Sequence, residues 1–243
     1  TGMYQDFRAA GKRPKTLSSK PEESSVLFEP SIADRTCYTE ELLRDARDFS
    51  DTAIVVLQRY AGESNDMPLV QYKVNEKNVT DATRTSLDLS TEEEALLAYV
   101  GATYENVIVV VNSANPMALG ALESTPGIDA VLLAGYTGQH GAEALPRILW
   151  GEVNPSGRTV DTYAYDLSSA PSYASASEHV GAYTQADGLY PADGTLNGNF
   201  SLPEGYDQVS YVDYSEGIYV GYRYYETAAA DGFIDYDSTV QYP

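Results

Sequence analysis

The sequence predicts an α/β fold built on a doubly wound, mostly parallel sheet. Three short apolar runs rich in β-branched residues lie at positions 51–58, 106–113 and 128–135. They do not alternate with polar residues, and strands of that kind are buried on both faces, as in a parallel sheet. Segments with helical patterns separate the runs, so strands and helices alternate along the chain as this fold requires.

The helix between the first two runs has the clearest pattern. The segment "LSTEEEALLAYVGATY" begins with a capping residue, Ser90 or Thr91, and continues with three glutamates that the positive end of a helix dipole stabilises. One apolar face is formed by Leu96, Leu97 and Val100. We therefore expect a helix over this segment.

Further helices are predicted on both sides of this central pattern. Downstream, one is expected to begin near Pro116, and another after Gly141 with a kink at Pro146. Upstream, residues 3–11 and 39–49 are amphipathic, and the segment between them has the composition of a basic loop. We therefore assign residues 1–50 to an N-terminal segment and residues 51–243 to the α/β domain.

The chain beyond the predicted sheet has a different composition. Fourteen of the 21 tyrosines fall between Tyr163 and Tyr242, among many glycines, and strand patterns are few. A tyrosine ring can stack on a sugar, but it can also pack a region poor in aliphatic residues, and packing is the preferred interpretation. This part of the chain is predicted to be a Tyr/Gly-rich loop region.

Charge and cysteine content exclude several classes of function. A formal net charge of −21 repels a phosphate backbone, which argues against nucleic-acid binding. No run approaches the roughly 18 consecutive apolar residues of a transmembrane helix, so no membrane partner is expected. The chain has one cysteine, Cys37, and two histidines, which are too few ligands for a transition-metal centre built from Cys and His. We therefore expect neither a metal nor another cofactor.

The first 20 residues are basic, in contrast to the acidic remainder. They carry five basic residues against one acid, Asp6. A solvated arm lying against the acidic body is the preferred interpretation, and a docking strip for a partner domain is the alternative. The basic residues are Arg8, Lys12, Arg13, Lys15 and Lys20.

Motifs for nucleotide and serine-hydrolase chemistry are missing from the sequence. The first strand is not followed by G-x-G-x-x-G, and neither the P-loop pattern nor a G-x-S-x-G elbow occurs. The segment "GYTGQHG" is either an anion seat at a helix end or a turn. His140 and His179 lie in no recognisable triad context and are interpreted as polar loop residues.

The loop after the first strand, "RYAGESND", contains the carboxylates Glu63 and Asp66. In parallel sheets, ligands bind outside the carboxyl ends of the strands, where this loop begins. A glycine precedes Glu63, and a rigid strand before the loop would define its location well. On these features alone, ordinary turn acids in an acidic protein are the preferred interpretation.

Longer motifs indicate a family. The sequence contains, in order over residues 55–226, the strings "VVLQRYAGESND", "LDLSTEEEALL", "VVVNSANPMAL", "VLLAGYTGQHGAEALPRILWGEVNPSGR" and "YSEGIYVGYRYYE". This set resembles the second, α/β sandwich domain of family 3 glycoside hydrolases, which include β-glucosidases and β-xylosidases. The most specific pieces are "NPSGR" and "EGIYVGYRYY".

The resemblance implies a fold, a reaction and a partner. The fold is a three-layer α/β/α sandwich with a mostly parallel sheet of about six strands, docked on a TIM barrel. The barrel would supply the aspartate nucleophile of a retaining exo-acting β-glycosidase and most of the contacts to a β-linked oligosaccharide. In many members a loop reading "GE..D" carries the general acid/base, which corresponds to Glu63, and Asp66 would contact the substrate.

Some features depart from the family pattern. Met67 stands where many relatives have arginine, and His140 stands where relatives usually carry glutamate. The chain stops at "VQYP" and contains no barrel, so it resembles a fragment that would be inactive alone.

Two other functions stay open on the sequence: a non-catalytic sugar-binding or docking module, and a free-standing α/β protein that binds a small molecule or a nucleotide. A single cysteine is compatible with both cytoplasmic and secreted proteins, and a cytoplasmic location is the expectation.

Overall fold

The computed structural model describes residues 29–59, 71–72, 80–81, 83–173, 180–184, 195–196, 200–201, 208–212 and 216–242. The chain divides into two compact units, Thr1–Tyr165 and Asp166–Pro243. The proposed division at residue 50 stays a prediction.

The first unit contains the parallel sheet. Its described elements are helix α1 (Glu40–Phe49), strands β1 (Thr52–Gln58), β2 (Gln71–Tyr72) and β3 (Thr80–Asp81), helix α2 (Thr91–Thr103), strand β4 (Asn106–Asn112), helix α3 (Gly120–Ser124), strand β5 (Ala130–Leu133), helices α4 (Gly138–Gly141) and α5 (Ala144–Leu149), and strand β6 (Tyr163–Ala164). Strands β1, β4 and β5 are parallel neighbours in that order, and β2 pairs with β3 in antiparallel fashion. The predicted α/β fold with a parallel sheet is therefore confirmed.

Apolar side chains of the sheet and of α2 form the core of this unit. Val55 on β1 is in register with Val109 on β4, which is in register with Val131 on β5. Val109 is fully buried, and so is Leu97, which lies on α2. Burial of β-branched residues on the central strand explains why β4 lacks polar alternation.

Helix α2 begins and packs as its sequence predicts. Ser90 is the N-cap: its hydroxyl oxygen accepts from the Glu93 backbone N–H at 3.1 Å, and the Glu93 carboxylate accepts from the Ser90 N–H at 2.8 Å. Near its other end, the helix touches the turn at Pro126 so closely that a Cβ on Gly101 would lie 2.2 Å from the Pro126 carbonyl oxygen. Glycine is therefore required there by the approach of two backbones.

Three predictions about the first unit are wrong in detail. The helix expected near Pro116 begins only at Gly120. Before it, Met117 and Leu119 are fully buried, and the Ala118 N–H donates to the distant Leu87 carbonyl oxygen at 3.0 Å rather than to a carbonyl of the same helix.

The helix expected after Gly141 is present as α5, which begins at Ala144, and a separate short helix, α4, precedes it. Pro146 does not kink α5, because it lies in the first turn, where a backbone N–H has no carbonyl partner within the helix.

In the described part of the chain the parallel sheet has three strands rather than about six, because the chain after β5 forms short helices and irregular structure instead of further long strands.

The second unit contains elements that the expectation of a loop region missed. Among its described residues are a 3-10 turn (Leu167–Ser169), strands β7 (Val180–Thr184), β8 (Thr195–Leu196), β9 (Phe200–Ser201) and β10 (Gln208–Val212), helices α6 (Tyr222–Ala230) and α7 (Tyr236–Thr239), and strand β11 (Val240–Tyr242). Strands β7 and β10 are antiparallel. Tyr225 is buried on α6, with its hydroxyl 3.0 Å from the hydroxyl of Ser169, so this tyrosine packs and does not face solvent.

Neither a membrane-spanning helix nor a metal-binding cluster is found among the described residues. No helix found there is long and apolar enough to cross a membrane. Within the same residues, no group of three or more His, Cys, Asp or Glu side chains is arranged to hold a metal ion.

Candidate functional site

The candidate acid/base loop follows β1 at the carboxyl edge of the parallel sheet. Glu63 and Asp66, the two predicted site residues, lie outside the described residues. The structure does describe the residues on both sides of the loop, Arg59 and Gln71. Since β1, β4 and β5 are parallel, the segments that follow them emerge at the same edge, which is where ligands bind in sheets of this kind.

Arg59, the first residue after β1, is a fully engaged buried cation. Its side chain is 1% exposed, and each of its five N–H groups donates to an oxygen atom. Nη1 and Nη2 each donate to the Glu93 carboxylate at 2.8 Å. The other three groups donate to backbone carbonyl oxygens of Gln58 at 2.8 Å, Ser86 at 2.7 Å and Asp88 at 2.5 Å.

Glu93 connects this cation to the start of α2. Its side chain, 7% exposed, accepts both Arg59 hydrogen bonds and that of the Ser90 N–H. The carboxylate therefore completes a helix cap and neutralises a buried guanidinium at the same time. A carboxylate with two oxygen atoms can do both, because each oxygen has more than one acceptor site.

Gln71, the first described residue after the loop, contacts the same backbone segment as Arg59. Its backbone N–H donates to the Arg84 carbonyl at 3.0 Å. Its side-chain amide donates to the carbonyl oxygens of Thr85 and Asp88, both at 2.8 Å. The Asp88 carbonyl thus accepts from the residue before the loop and from the residue after it. We call Arg59, Gln71 and Glu93, with the carbonyl groups of residues 85, 86 and 88, the loop clamp.

A tyrosine from the neighbouring strand connection also holds the start of the loop. The hydroxyl of Tyr136, which follows β5, donates to the Arg59 carbonyl oxygen at 3.1 Å. Gly135, the preceding residue, has a φ of +60°, a conformation that glycine adopts without strain. The Arg59 backbone is therefore fixed from the β5 side, while its side chain is fixed from the α2 side.

The carboxyl group of Glu29 is partly buried and lies near Glu93 of the clamp. The Tyr38 hydroxyl donates to Glu29 Oε1 at 2.5 Å. Burial raises the pKa of Glu29, the hydrogen bond from Tyr38 lowers it, and the nearby carboxylates Glu93 and Glu92 raise it further, with a net increase. Burial, followed by the hydrogen bond to Glu29, likewise raises the pKa of Tyr38, which therefore stays protonated and keeps donating.

A polar cleft of about 420 Å³ lies beside the clamp in the first unit. Arg84 and Glu94 face each other across two contacts of 2.8 Å, so these charges are already paired. The Tyr165 hydroxyl donates to Glu123 at 2.6 Å. The cleft is lined by Thr83, Arg84, Asp88, Leu89, Glu94, Ala118, Gly120, Ala121 and Tyr165.

The histidines contribute no catalytic arrangement in the described part of the chain. His140 is highly exposed on α4, with Nδ1 3.2 Å from Glu143. His140 is therefore an exposed polar residue, as expected, but it lies on a short helix rather than in a loop. His179 lies outside the described residues.

Sequence reasoning found the acidic loop but not the clamp. An arginine directly after an apolar strand was the available signal, since a cation at the end of a buried strand needs a buried anion. The sequence also identified the glutamates at the start of α2, but only as helix-end charges. It offered no means of pairing Glu93 with Arg59.

An α/β domain of this kind, with a parallel sheet and a clamped loop at its carboxyl edge, belongs to the class of domains that place functional groups at that edge. The sequence matches the family described as Glycosyl hydrolase family 3 C-terminal domain over residues 11–222, and the chain belongs to this family. The resemblance noted in the sequence is therefore confirmed.

Individual relatives agree with this assignment. Beta-glucosidase A of Butyrivibrio fibrisolvens is 30% identical over 207 residues, which cover 82% of this chain and 21% of that protein. A Beta-glucosidase of Schizophyllum commune is 31% identical over 210 residues, which cover 86% of this chain and 89% of the relative.

A solved structure supports the fold. A beta-glucosidase from Paenibacillus barengoltzii superposes with a TM-score of 0.64 at 24% identity, covering 99% of this chain and 20% of that one. The chain thus spans about a fifth of the length of the Butyrivibrio and Paenibacillus proteins.

Proposed function

We propose that this chain is the sandwich domain of a retaining, exo-acting β-glycosidase of the β-glucosidase type, which hydrolyses terminal β-linked sugars. Glu63 is its general acid/base, and Asp66 contacts the substrate. Family membership and two relatives named as β-glucosidases support the reaction class. The observation that carries the role of Glu63 is the loop clamp: the residues on both sides of its loop are held on one backbone segment.

The reaction needs two carboxyl groups about 5 to 5.5 Å apart. One attacks the anomeric carbon and forms a covalent glycosyl ester, while the Glu63 carboxyl group gives its proton to the departing glycosidic oxygen. The Glu63 carboxylate then takes a proton from the water that attacks the ester, and this returns both groups to their starting states. None of these steps requires a metal or a cofactor.

The partner of this domain is a TIM barrel of the same enzyme, which supplies the nucleophile and most of the sugar contacts. The chain spans only about a fifth of two relatives, which leaves room for such a domain. A cytoplasmic location stays a prediction.

Glu63→Ala in the full-length enzyme tests the catalytic role. The loss of a general acid/base typically costs about 10² to 10⁴ in rate. Substrates with a poor alkoxide leaving group should lose the most, because dinitrophenolate departs without protonation. Azide needs no base, so added azide should restore turnover of the dinitrophenyl substrate and give a β-glycosyl azide.

Glu105→Ala is the matched control, because Glu105 is an exposed glutamate just before β4, at the opposite edge of the sheet. It should leave all rates unchanged. An equal loss for every leaving group, without azide rescue in a folded Glu63→Ala variant, would reject the acid/base role. The domain would then be a non-catalytic sugar-binding or docking module.

A further inference from the structure

The two sides of the acid/base loop meet at a single backbone atom. Arg59 Nη2 donates to the Asp88 carbonyl oxygen at 2.5 Å, and Gln71 Nε2 donates to the same oxygen at 2.8 Å. The loop, residues 60–70, therefore begins and ends at positions that are fixed relative to each other. Any displacement of the 85–88 segment would move both ends together.

Core packing alone does not require this arrangement. A buried charged pair rarely stabilises a protein more than apolar residues of similar volume, because both ions lose their hydration. Gln71 is 5% exposed, and an aliphatic side chain would fill the same space without needing hydrogen-bond partners. Polar groups in such a position fix a geometry, since each must satisfy its donors at defined distances and angles.

The geometry is also set from outside the loop. Arg59 is held through its side chain by Glu93 on α2, and through its backbone carbonyl by Tyr136 after β5. Both elements belong to the packed sheet unit, so the base of the loop inherits the rigidity of that unit. Acid/base catalysis depends on such rigidity, because a displacement of about 1 Å can cost about 100-fold in rate.

We infer that Arg59, Gln71 and Glu93 are positioning residues that set where Glu63 stands relative to the glycosidic oxygen. The inference rests on the proposed role of Glu63. It adds that the clamp acts on catalysis through Glu63 alone, without touching substrate. Loss of the clamp should therefore impair the proton transfers and spare the steps that do not need them.

Gln71→Met in the full-length enzyme is the mildest test, because it keeps the length of the side chain and replaces its terminal amide group, including both donors to the carbonyl groups of Thr85 and Asp88. The matched control is Gln58→Met: Gln58 has an exposed side chain at the end of β1 and contributes only its backbone carbonyl to Arg59, which the substitution keeps. Each variant is made with Glu63 intact and with Glu63→Ala. Rates are measured with a poor and a dinitrophenyl leaving group, and melting temperatures confirm folding.

With Glu63 intact, Gln71→Met should lower kcat/KM for the poor leaving group by about 10- to 100-fold and change the dinitrophenyl value less than about 2-fold. In the Glu63→Ala background the same substitution should have no further effect, because the group it positions is gone. Gln58→Met should be silent in both backgrounds. Tyr136→Phe, which removes only the hydroxyl donor to Arg59, should give a smaller loss with the same selectivity.

Equal losses from Gln71→Met in both Glu63 backgrounds, or equal losses for both leaving groups, would overturn the inference and leave the clamp a structural feature only. If Gln71→Met does not fold, Tyr136→Phe decides the matter by the same criteria. A Glu63→Ala variant without leaving-group dependence would instead remove the proposed function, and the inference with it. If the loss in Glu63→Ala depends on the leaving group but the loss in Gln71→Met does not, only the inference about the clamp is rejected.

Discussion

Replacing Glu93 by glutamine should strongly destabilise the first unit. The substitution keeps the shape of the side chain but removes its charge. Glu93 accepts three hydrogen bonds of 2.8 Å each, two from Arg59 and one from the Ser90 N–H. A glutamine side chain offers one oxygen and turns an NH₂ group toward donors, so at least one buried N–H loses its acceptor.

The expected magnitude follows from burial. The Arg59 side chain is 1% exposed and that of Glu93 is 7% exposed, so water does not replace the lost interaction. Removing one partner of a buried ion pair typically costs about 3 to 5 kcal/mol, because the remaining charge is uncompensated. Glu92→Gln removes the same charge from the same helical turn, but outside the ion pair. It should cost about 0.3 to 1 kcal/mol through the helix dipole.

Urea denaturation of the purified chain, followed by far-UV circular dichroism, measures the difference. With a denaturant slope of about 3 kcal/mol per molar, the upper end of the usual range for urea and suited to a chain of this size, the midpoint of Glu93→Gln should fall by roughly 1 to 1.7 M and that of Glu92→Gln by about 0.1 to 0.3 M. The double variant Arg59→Met with Glu93→Gln should be less destabilised than the sum of the two single variants. Equal midpoints for Glu93→Gln and Glu92→Gln would refute the reasoning.

Three further predictions concern packing, pH and activity. Gly101→Ala should lower the free energy of unfolding by about 1 to 3 kcal/mol, because its Cβ would meet the Pro126 carbonyl oxygen at 2.2 Å. Gly157→Ala, whose Cβ would lie in open space, is the control and should change the free energy of unfolding by less than about 0.5 kcal/mol, as measured by thermal denaturation. Burial raises the pKa of Glu29 in the folded chain. The protonated carboxyl group therefore stabilises the fold below the unfolded pKa near 4.5, and this stabilisation is lost as the pH rises through the higher pKa of the folded state. The Glu29→Gln side chain can still accept the hydrogen bond from Tyr38 and stays neutral, so this variant should be more stable than wild type at neutral pH and lose that advantage at pH 4. Urea midpoints at the two pH values measure the difference. An advantage that grows on acidification would contradict the prediction. The isolated 243-residue chain should not hydrolyse an aryl β-glucoside, because the proposed mechanism takes its nucleophile from a partner barrel domain. Turnover by a purified chain that is free of host enzyme would disprove this.

Local patterns determined most of what the sequence could predict. Strands β1 and β4 and helices α1 and α2 were found because their apolar spacing and caps lie within a few consecutive residues. The start of α3 was missed because it depends on a distant group: the Leu87 carbonyl accepts the hydrogen bond of the Ala118 N–H, which a helix beginning at Pro116 would not offer. No pattern within residues 113–120 carries that information.

The clamp was missed for the same physical reason. Arg59 and Glu93 are 34 positions apart, and Gln71 and the Asp88 carbonyl are 17 apart. Such pairs form only when the packing of α2 on the sheet brings them together, and a buried polar group does not reveal its partner in sequence. Glu63 and Asp66 were assigned through family resemblance, and their roles stay predictions.

The charged and neutral parts of the clamp allow stability and positioning to be separated. Breaking the Arg59–Glu93 pair leaves a buried charge, so those variants should be the least stable. Gln71→Met removes an amide donor from two carbonyl groups that each keep another donor, Arg59 for the Asp88 carbonyl and the Asp88 N–H, at 3.2 Å, for the Thr85 carbonyl. If the clamp only held the fold together, the loss of activity across these variants would follow their loss of stability. If it places Glu63, Gln71→Met should lose far more proton-transfer activity than its modest loss of stability accounts for.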